Sequence, residues 1–328
     1  MTVLLRADDL VRGFPGRRGM LDTVRGRPRP VVRALAGVSL TLNRGETLAV
    51  VGESGCGKST LARALVRLID LESGQIDFEG QDVRNLRGEA LRRYNRRVQM
   101  VFQDPYSSLN PRMTVGETLA EALRVHRMVP RAGIAARVAQ LLDLVRLPAD
   151  AAARMPHAFS GGQRQRIAIA RALAVEPELL IADEIVSALD VSVQAQVLNL
   201  LLEMQERLHL SILFVSHDLR VVRHVAHAVA VMYLGRVVEH GPADAVFGAP
   251  LHPYTQALLR AAPSLEPGVA RSRTAALVGE LPSPMRQVPG CPFHPRCPRA
   301  WDRCAAEVPR LAVQDGQGVV CHLHEPAV

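Results

Sequence analysis

The fold of this chain is decided by the stretch Gly52-Glu53-Ser54-Gly55-Cys56-Gly57-Lys58-Ser59-Thr60. It fits the pattern G-x-x-x-x-G-K-[ST], in which a glycine-rich backbone cradles phosphate groups. Lys58 is the only lysine of the chain, and arginine supplies every other permanently cationic side chain. Because an ammonium is a compact point charge and a guanidinium is a broad planar fork, only lysine fits between two phosphates. We predict that this whole stretch binds a nucleotide.

The flanks of the stretch agree with that prediction. The apolar run Thr47–Val51 is typical of a buried strand, and residues 59–65 read as the first turns of a helix. The amides and the dipole at a helix N-terminus favour bound phosphate. Three glycines permit the unusual backbone angles that turn amides toward one concavity, namely Gly52, Gly55 and Gly57.

A second acidic element follows later in the chain. Residues 179–182 form an apolar strand pattern that ends in Asp183 and Glu184. In a phosphate-loop protein we expect Asp183 to join the Mg²⁺ shell and Glu184 to polarise the attacking water. Lys58 then reaches the β- and γ-phosphates, and the Ser59 hydroxyl ligates Mg²⁺. The pattern therefore predicts ATP and Mg²⁺ as cofactors and hydrolysis as the reaction.

The composition of the chain indicates its size class and argues against nucleic-acid binding. With 328 residues and 48% hydrophobic content, the chain is long enough for one large globular domain and a smaller one. Its net charge is +8, but aromatic residues make up only 4% and no basic stretch is interleaved with them. Because stacking on bases needs aromatic side chains, we expect no nucleic-acid partner.

The sequence also indicates the compartment. The N-terminal residues contain no signal-peptide apolar region, and no run of 18 apolar residues exists to span a membrane. The five cysteines do not form an even disulfide set, and one of them lies in the phosphate loop. A reducing, cytoplasmic location fits these features.

Alternating patterns predict an α/β fold with a parallel sheet covered by helices. The predicted helices cover residues 163–174 and 193–208, and the predicted strands cover residues 179–182, 211–215 and 228–234. Helical patterns at 116–123 and 138–145 indicate a helical subdomain inserted at about 90–160, and residues 13–30 read as a loop. We predict an ATPase domain at 1–241 and a small, irregular, proline-rich C-terminal extension at 242–328.

The peptide Phe159-Ser160-Gly161-Gly162-Gln163 resembles the signature of the ATP-binding-cassette (ABC) ATPases. In that family the signature binds the γ-phosphate of ATP held on a partner subunit. The resemblance implies that Ser160, Gly161, Gly162 and Gln163 act on the partner's nucleotide. A serine hydroxyl, glycine amides and a helix N-terminus suit an anion for the same physical reason as the first loop.

Other elements of the family occur in order. Gln103 resembles the Q-loop glutamine, which contacts Mg²⁺ and faces the membrane subunits, and residues 187–190 resemble the D-loop. His217 resembles the switch histidine near the γ-phosphate. Phe14 is either the aromatic residue that stacks on adenine or an ordinary buried phenylalanine. Ile185-Val186 replaces the usual Pro-Thr pair after the catalytic glutamate, and we expect hydrolysis to survive this change.

The C-terminal extension narrows the resemblance to the oligopeptide/dipeptide importers. Three stretches carry it, namely His252-Pro253-Tyr254-Thr255-Gln256-Ala257-Leu258, Gly279-Glu280-Leu281-Pro282-Ser283-Pro284 and residues 102–111. The resemblance implies a second ATPase subunit in a heterodimer, two transmembrane permease subunits and an extracytoplasmic substrate-binding protein. It places the chain peripherally on the cytoplasmic face of the plasma membrane. Alternatives are another cargo, such as nickel, glutathione or an opine-like solute, and a soluble cassette ATPase without transport.

Four cysteines cluster in the C-terminal extension, namely Cys291, Cys297, Cys304 and Cys321. Four thiolates suit either an iron–sulfur cluster or structural Zn²⁺. The wide gaps favour a cluster, and some peptide-importer ATPases of similar sequence carry a 4Fe–4S cluster there. Zinc, with His294, His322 or His324 as substitute ligands, and free thiols are the alternatives.

Overall fold

A computed structural model describes residues 2–16, 31–104, 108–261 and 288–325. Most of the predicted 13–30 loop, residues 105–107 of the Q-loop stretch and the 279–284 stretch lie outside the described residues. Among the helices in these described ranges, none combines the length and the apolar composition that a membrane span requires.

Strands and helices alternate along most of the chain. The strands are β1 (Val3–Pro15), β2 (Val31–Asn43), β3 (Thr47–Val51), β4 (Ser73–Phe78), β5 (Gln81–Asp82), β6 (Val98–Val101), β7 (Leu179–Asp183), β8 (Ser211–Ser216), β9 (Ala228–Tyr233), β10 (Arg236–Pro242), β11 (Leu311–Gln314) and β12 (Gln317–Val320). The helices are α1 (Lys58–Leu65), α2 (Gly88–Arg97), α3 (Val115–Val125), α4 (Ile134–Leu144), α5 (Gly161–Leu173), α6 (Val191–Leu208), α7 (Leu219–Val225), α8 (Ala243–Gly248), α9 (Pro253–Ala261) and α10 (Asp302–Ala306).

The chain divides into two compact units. The phosphate-loop unit comprises residues 3–42, 48–84 and 216–328, and the signature unit comprises residues 1–2, 43–47 and 85–215. The predicted boundary between residues 241 and 242 falls inside the phosphate-loop unit. That domain boundary stays a prediction.

A mixed sheet underlies the phosphate-loop unit. Strand β3 pairs in parallel with β9, in the register Leu48↔Ala228 to Val51↔Val231. All five residues of β3 are buried, as its apolar sequence predicts. Strand β10 then pairs antiparallel with both β9 and β12, and β12 with β11. The C-terminal extension therefore contributes a hairpin that lengthens this sheet, which the predicted irregular tail did not anticipate.

The signature unit contains three parallel strands in the order β6, β7, β8. Residues Val98 and Ser211 both pair with Leu179, so β7 lies in the middle of this set. All five residues of β7 are buried. The predicted α/β class with a parallel sheet is confirmed, and predicted strand and helix bounds agree with β7, β8, α5 and α6 to within about two residues.

The helical part of the signature unit lies between β6 and β7. Helices α3 and α4 cover the two helical patterns predicted from the sequence. Helix α3 begins with a capping box in which Thr114 and Glu117 satisfy each other's backbone amides. Strand β6 was not predicted, because its four residues are too few for alternation to be visible.

Candidate nucleotide site

The glycines of the phosphate loop have the backbone angles that the sequence predicted. Gly52, Gly55 and Gly57 have φ values of 151°, 82° and 111°. A Cβ atom on Gly52 would lie 2.2 Å from the Met232 carbonyl oxygen, and one on Gly57 would lie 2.1 Å from that of Ala34. Because these contacts are with backbone that has little room to move, side chains are excluded at both positions.

Lys58 begins helix α1 at the end of this loop. Its ammonium donates hydrogen bonds to the carbonyl oxygens of Gly52 at 2.9 Å and Glu53 at 3.1 Å. The residue is only 4% exposed. Gly57 occupies the N-cap position of α1, where it makes no side-chain cap hydrogen bond. The end of this helix therefore has the composition of an anion site, with a fixed ammonium and main-chain donors.

The side chain of Glu53 is held from the C-terminal extension. Arg296 donates two parallel hydrogen bonds to its carboxylate, at 2.7 and 3.0 Å. The Glu53 amide donates to the Tyr254 hydroxyl at 2.9 Å. The hydrogen bonds to the Glu53 carboxylate raise the pKa of the Arg296 guanidinium further above its already high value, so the guanidinium stays charged. Sequence reasoning missed Arg296 altogether, because it comes 243 residues after Glu53.

The predicted acid pair lies at the end of strand β7, with Asp183 as its last residue and Glu184 directly after it. Asp183 is buried, and Glu184 is half-buried with a left-handed φ of 48°. The Glu184 amide donates to the Val215 carbonyl at 2.9 Å. Gln103 donates from its side-chain amide to the Glu184 carboxylate at 3.1 Å and lies 3.4 Å from the Ser187 hydroxyl. The signature unit thus brings Gln103 and Glu184 together, and the amide orients the carboxylate.

The departure from the usual Pro-Thr pair is accommodated in the core. Ile185 and Val186 are 2% and 3% exposed. The side-chain amide of Gln194 donates to the carbonyl oxygens of Val186 at 2.9 Å and Leu189 at 3.0 Å. These contacts hold the turn that follows Glu184 by apolar packing and one amide, without a hydroxyl or a ring at either position.

The signature forms the start of helix α5. Ser160 is the N-cap residue, and its hydroxyl accepts a hydrogen bond from the Gln163 amide at 3.3 Å. The Gln163 side chain in return accepts from the Ser160 amide at 3.0 Å. Ser160 itself is exposed, while the preceding Phe159 is buried. The hydroxyl therefore stands at the surface on a helix N-terminus, where an incoming anion can reach it.

Buried Arg164 holds the turn that precedes the signature. Its guanidinium donates to the carbonyl oxygens of Pro156 at 3.0 Å and Phe159 at 2.5 Å. Gly162 packs so closely on the next helix that a Cβ atom would lie 2.2 Å from a Val193 methyl group. Gly162 was predicted as a functional residue because it belongs to the signature. No sequence pattern identified Arg164.

The remaining predicted residues lie in the phosphate-loop unit. His217 is exposed immediately after β8, where Asp218 caps α7 by accepting from the Arg220 amide at 2.9 Å. Phe14 is half-buried, and the Arg12 guanidinium lies 4.9 Å from the centre of its ring. Stacking of Phe14 on adenine stays a prediction.

The four tail cysteines line one small cavity, together with His252, Phe293, His294, Trp301 and His322. All four are free thiols. Burial raises the pKa of Cys291 and Cys297, and raises that of Cys321 to about 11. Within the described residues, however, no group of three or more His, Cys, Asp or Glu side chains is arranged to hold a metal ion. The donor set suits a soft metal chemically, but its arrangement gives the predicted iron–sulfur centre no support.

Comparison with known proteins decides the family. Residues 35–187 match the ABC transporter family, and residues 238–304 match the oligopeptide/dipeptide transporter C-terminal region. The chain is 53% identical to the "Probable peptide ABC transporter ATP-binding protein y4tS" of Sinorhizobium fredii, over 99% of this chain and 91% of that protein. It belongs to the ABC transporter ATPases.

A second relative and a solved structure support the same family assignment. The di/tripeptide transport ATP-binding protein DppF of Pseudomonas aeruginosa is 49% identical over 98% of both chains. Among solved structures, the ATP-binding cassette MJ0796, a dimer in a post-hydrolysis state with ADP and Pi, has a TM-score of 0.63 and 25% identity. That likeness covers 73% of this chain and 99% of the other. The predicted family, fold and ATP-hydrolysing activity are confirmed.

Proposed function

We propose that this ABC ATPase powers the import of peptides through a separate membrane permease. The observation that carries the proposal is the stretch 252–258, which begins α9 and through Tyr254 contacts the phosphate loop. That stretch lies within the oligopeptide/dipeptide transporter C-terminal region. The relatives named for peptide transport match this chain over nearly its whole length.

The chain's own residues suggest how nucleotide is held. Residues 52–60 would surround the phosphates, and the Lys58 ammonium would bind between the β- and γ-phosphates. The Ser59 hydroxyl, Asp183 and Gln103 supply oxygen ligands of the kind that Mg²⁺ prefers. When bound, Mg²⁺ neutralises charge that develops on the phosphates. Phe14 would stack on the adenine ring.

Hydrolysis needs a positioned water and stabilised charge. We assign Glu184 to orient the water, with its carboxylate held by Gln103 at 3.1 Å. Lys58 and His217 would stabilise the transferred phosphoryl group. A second ATPase subunit would supply its signature to this chain's ATP, while Ser160 to Gln163 serve the partner's site. The exposed Ser160 on a helix N-terminus supports this role in trans.

The finer assembly is also a proposal. We infer a heterodimer of ATPase subunits on the cytoplasmic face of the plasma membrane, two permease subunits and an extracytoplasmic substrate-binding protein. Residues 1–241 would form the ATPase domain, with the helical subdomain inserted at about 90–160, and residues 242–328 the importer-type extension.

Reconstitution tests the cargo. The chain, its partner ATPase and its permease subunits are placed in lipid nanodiscs, and ATPase turnover is measured with substrate-binding protein plus a mixture of di- and oligopeptides. We expect peptides to stimulate turnover. Stimulation by nickel or glutathione instead would show another cargo, and an ATPase that never co-purifies with permease subunits would favour the soluble alternative.

We further propose a metal centre in the C-terminal extension. What motivates it is that the four cysteines line one cavity and are separated by wide gaps in the sequence. Because burial raises the pKa values of Cys291, Cys297 and Cys321, these three thiolates would form only as a metal displaces the protons. Such a centre would stabilise the extension and take no part in hydrolysis.

Anaerobic purification tests the centre. A 4Fe–4S cluster gives brown protein with broad absorbance near about 400 nm, lost in Cys297→Ser. Colourless protein with stoichiometric zinc would indicate the zinc alternative. Absence of both metals in elemental analysis, with the extension still resistant to protease, would identify the cysteines as buried free thiols.

A further inference from the structure

Position 53 is the second residue of the phosphate loop and is the place where the C-terminal extension touches it. The Glu53 carboxylate receives both arms of the Arg296 guanidinium, and its amide donates to the Tyr254 hydroxyl. The side chains of Arg296 and Glu53 are 5% and 26% exposed. Partial burial and two parallel charge-assisted bonds make this pair stronger than a surface ion pair.

Tyr254 is itself fixed by the residues around it. The ring of Tyr254 packs against Tyr233 with ring centres 4.7 Å apart, and against Phe293 at 5.4 Å. His252 accepts the Tyr254 amide on its Nδ1 at 3.0 Å. Burial lowers the pKa of His252 to about 3, so the ring is neutral and free to accept that bond at neutral pH.

A buried carboxylate anchors His252 in turn. Glu239 on β10 is fully buried and accepts the amides of Leu251 at 2.7 Å and His252 at 2.9 Å. It also accepts the side-chain amide of Gln317 from β12. A continuous set of contacts therefore runs from the sheet of the phosphate-loop unit through Tyr254 to the amide of Glu53.

The contacts of Glu53 bear on Lys58 directly. Lys58 donates to the carbonyl oxygens of both Gly52 and Glu53, so a shift of the Glu53 backbone moves the atoms that hold the ammonium. We propose that Arg296 and Tyr254 are positioning residues that hold the phosphate loop in its nucleotide-binding shape through Glu53. This inference rests on the nucleotide site proposed above and adds to it a function for the C-terminal extension.

The test measures the Kd for MgATP by calorimetry, in the full-length chain carrying Glu184→Gln to slow hydrolysis. We expect Arg296→Met, which keeps the aliphatic stem, to raise the Kd about tenfold. Tyr254→Phe keeps the ring and should raise it severalfold. The matched control is Arg303→Met, because Arg303 forms its ion pairs with Glu307 and Glu325 inside the same extension. We expect its Kd to equal that of the parent.

A double-mutant cycle separates positioning from a general loss of stability. If Arg296 acts through Glu53, then Arg296→Met should raise the Kd little further in a Glu53→Gln background. The melting temperature of every variant should stay above the temperature of the titration, so that a changed Kd does not report unfolding. Should Arg296→Met fail to fold, Arg296→Lys replaces it, because lysine keeps the charge and loses the two-armed contact. An unchanged Kd in Arg296→Met or Arg296→Lys, or additive effects in the cycle, would overturn the inference.

Lys58→Ala distinguishes this inference from the site beneath it. If Lys58→Ala abolishes MgATP binding and the Arg296 and Tyr254 variants bind normally, the nucleotide site stands and only the positioning role fails. If Lys58→Ala binds as tightly as the parent, the proposed site itself is wrong and the inference falls with it.

Discussion

The phosphate loop, residues 52–60, and the signature, residues 160–163, are both glycine-rich turns that lead into a helix. They differ in what supports them. The loop is enclosed by residues far away in sequence, including Ala34, Met232 and Arg296. The signature is supported mainly by its own neighbours, through the Ser160–Gln163 capping box and the buried guanidinium of Arg164.

The difference shows how a glycine-rich turn at a helix N-terminus is adapted to two tasks. A loop that must surround phosphate on several sides needs positive φ angles and a buried ammonium, which distant parts of the fold hold in place. A turn that must meet a ligand arriving from another molecule needs an exposed hydroxyl on a pre-formed helix end. The capping box forms such an end from four consecutive residues.

The largest expected effect concerns Glu184, which belongs to neither the phosphate loop nor the signature. Glu184→Gln should lower ATP turnover about a hundredfold to ten-thousandfold, because the amide cannot polarise water. Nucleotide affinity should stay near the wild-type value, since the proposed role of Glu184 is to orient the water and not to hold the nucleotide or Mg²⁺. Steady-state turnover of the reconstituted complex is the measurement, with the exposed Glu206→Gln as matched control. Wild-type turnover in Glu184→Gln would remove Glu184 from the mechanism.

The second largest effect is expected in the phosphate loop. Lys58→Arg should weaken ATP binding about tenfold to a hundredfold and approach the effect of Lys58→Ala, because a broad guanidinium does not fit where the buried ammonium donates to Gly52 and Glu53. Calorimetry on the isolated chain measures this. Tight binding by Lys58→Arg would show that the loop recognises charge alone and is less closely packed than its contacts indicate.

The signature should behave differently from the phosphate loop. Ser160→Ala should leave ATP binding by the isolated chain intact and weaken ATP-driven pairing of the ATPase subunits about tenfold, because the lost hydroxyl serves the partner's nucleotide. Thr114→Ala is the matched control, since it removes the cap of α3, which has the same capping box. Both variants should lose about 1 kcal/mol of stability, but only Ser160→Ala should pair weakly in sedimentation experiments.

The Ser160→Ala and Thr114→Ala variants also provide outcomes that would contradict the proposed role of the signature. Weak ATP binding by the Ser160→Ala monomer, combined with normal pairing, would mean that the signature acts on its own chain's nucleotide. Weak pairing in both variants would attribute the effect to a lost helix cap.

The smallest effect tests the packing of the signature. Gly162→Ala should destabilise the chain slightly, because overpacking against Val193 costs about 1–3 kcal/mol and exceeds the roughly 1 kcal/mol gained in helix propensity. Adding Val193→Ala should restore stability. Gly161→Ala is the milder control, since its Cβ would lie 3.3 Å from Leu189. Thermal melts that rank Gly162→Ala above wild type would show that the two helices separate freely.

Much of this molecule could be read from short stretches of sequence. The phosphate loop, the strand ending at Asp183, and the Ser160 cap were predictable because each depends on residues within a few positions of one another. The short strand β6 and the tail hairpin β11–β12 were not, because four-residue strands leave no periodicity to detect. The metal centre was predicted from cysteine spacing, but among the residues that the structure describes no three His, Cys, Asp or Glu side chains are arranged to hold a metal ion. Sequence spacing alone could not show this arrangement.

The sequence by itself determined the chemistry of this protein, that is, a single lysine among arginines, an acid pair after a strand, and a serine that begins a helix. Tertiary structure alone decided which distant residues support that chemistry. Arg296 and Tyr254 meet Glu53 only because strand pairing and aromatic packing bring together segments about two hundred residues or more apart. Local patterns record the preferences of adjacent residues, whereas contacts between distant segments are selected by burial and packing in the folded chain.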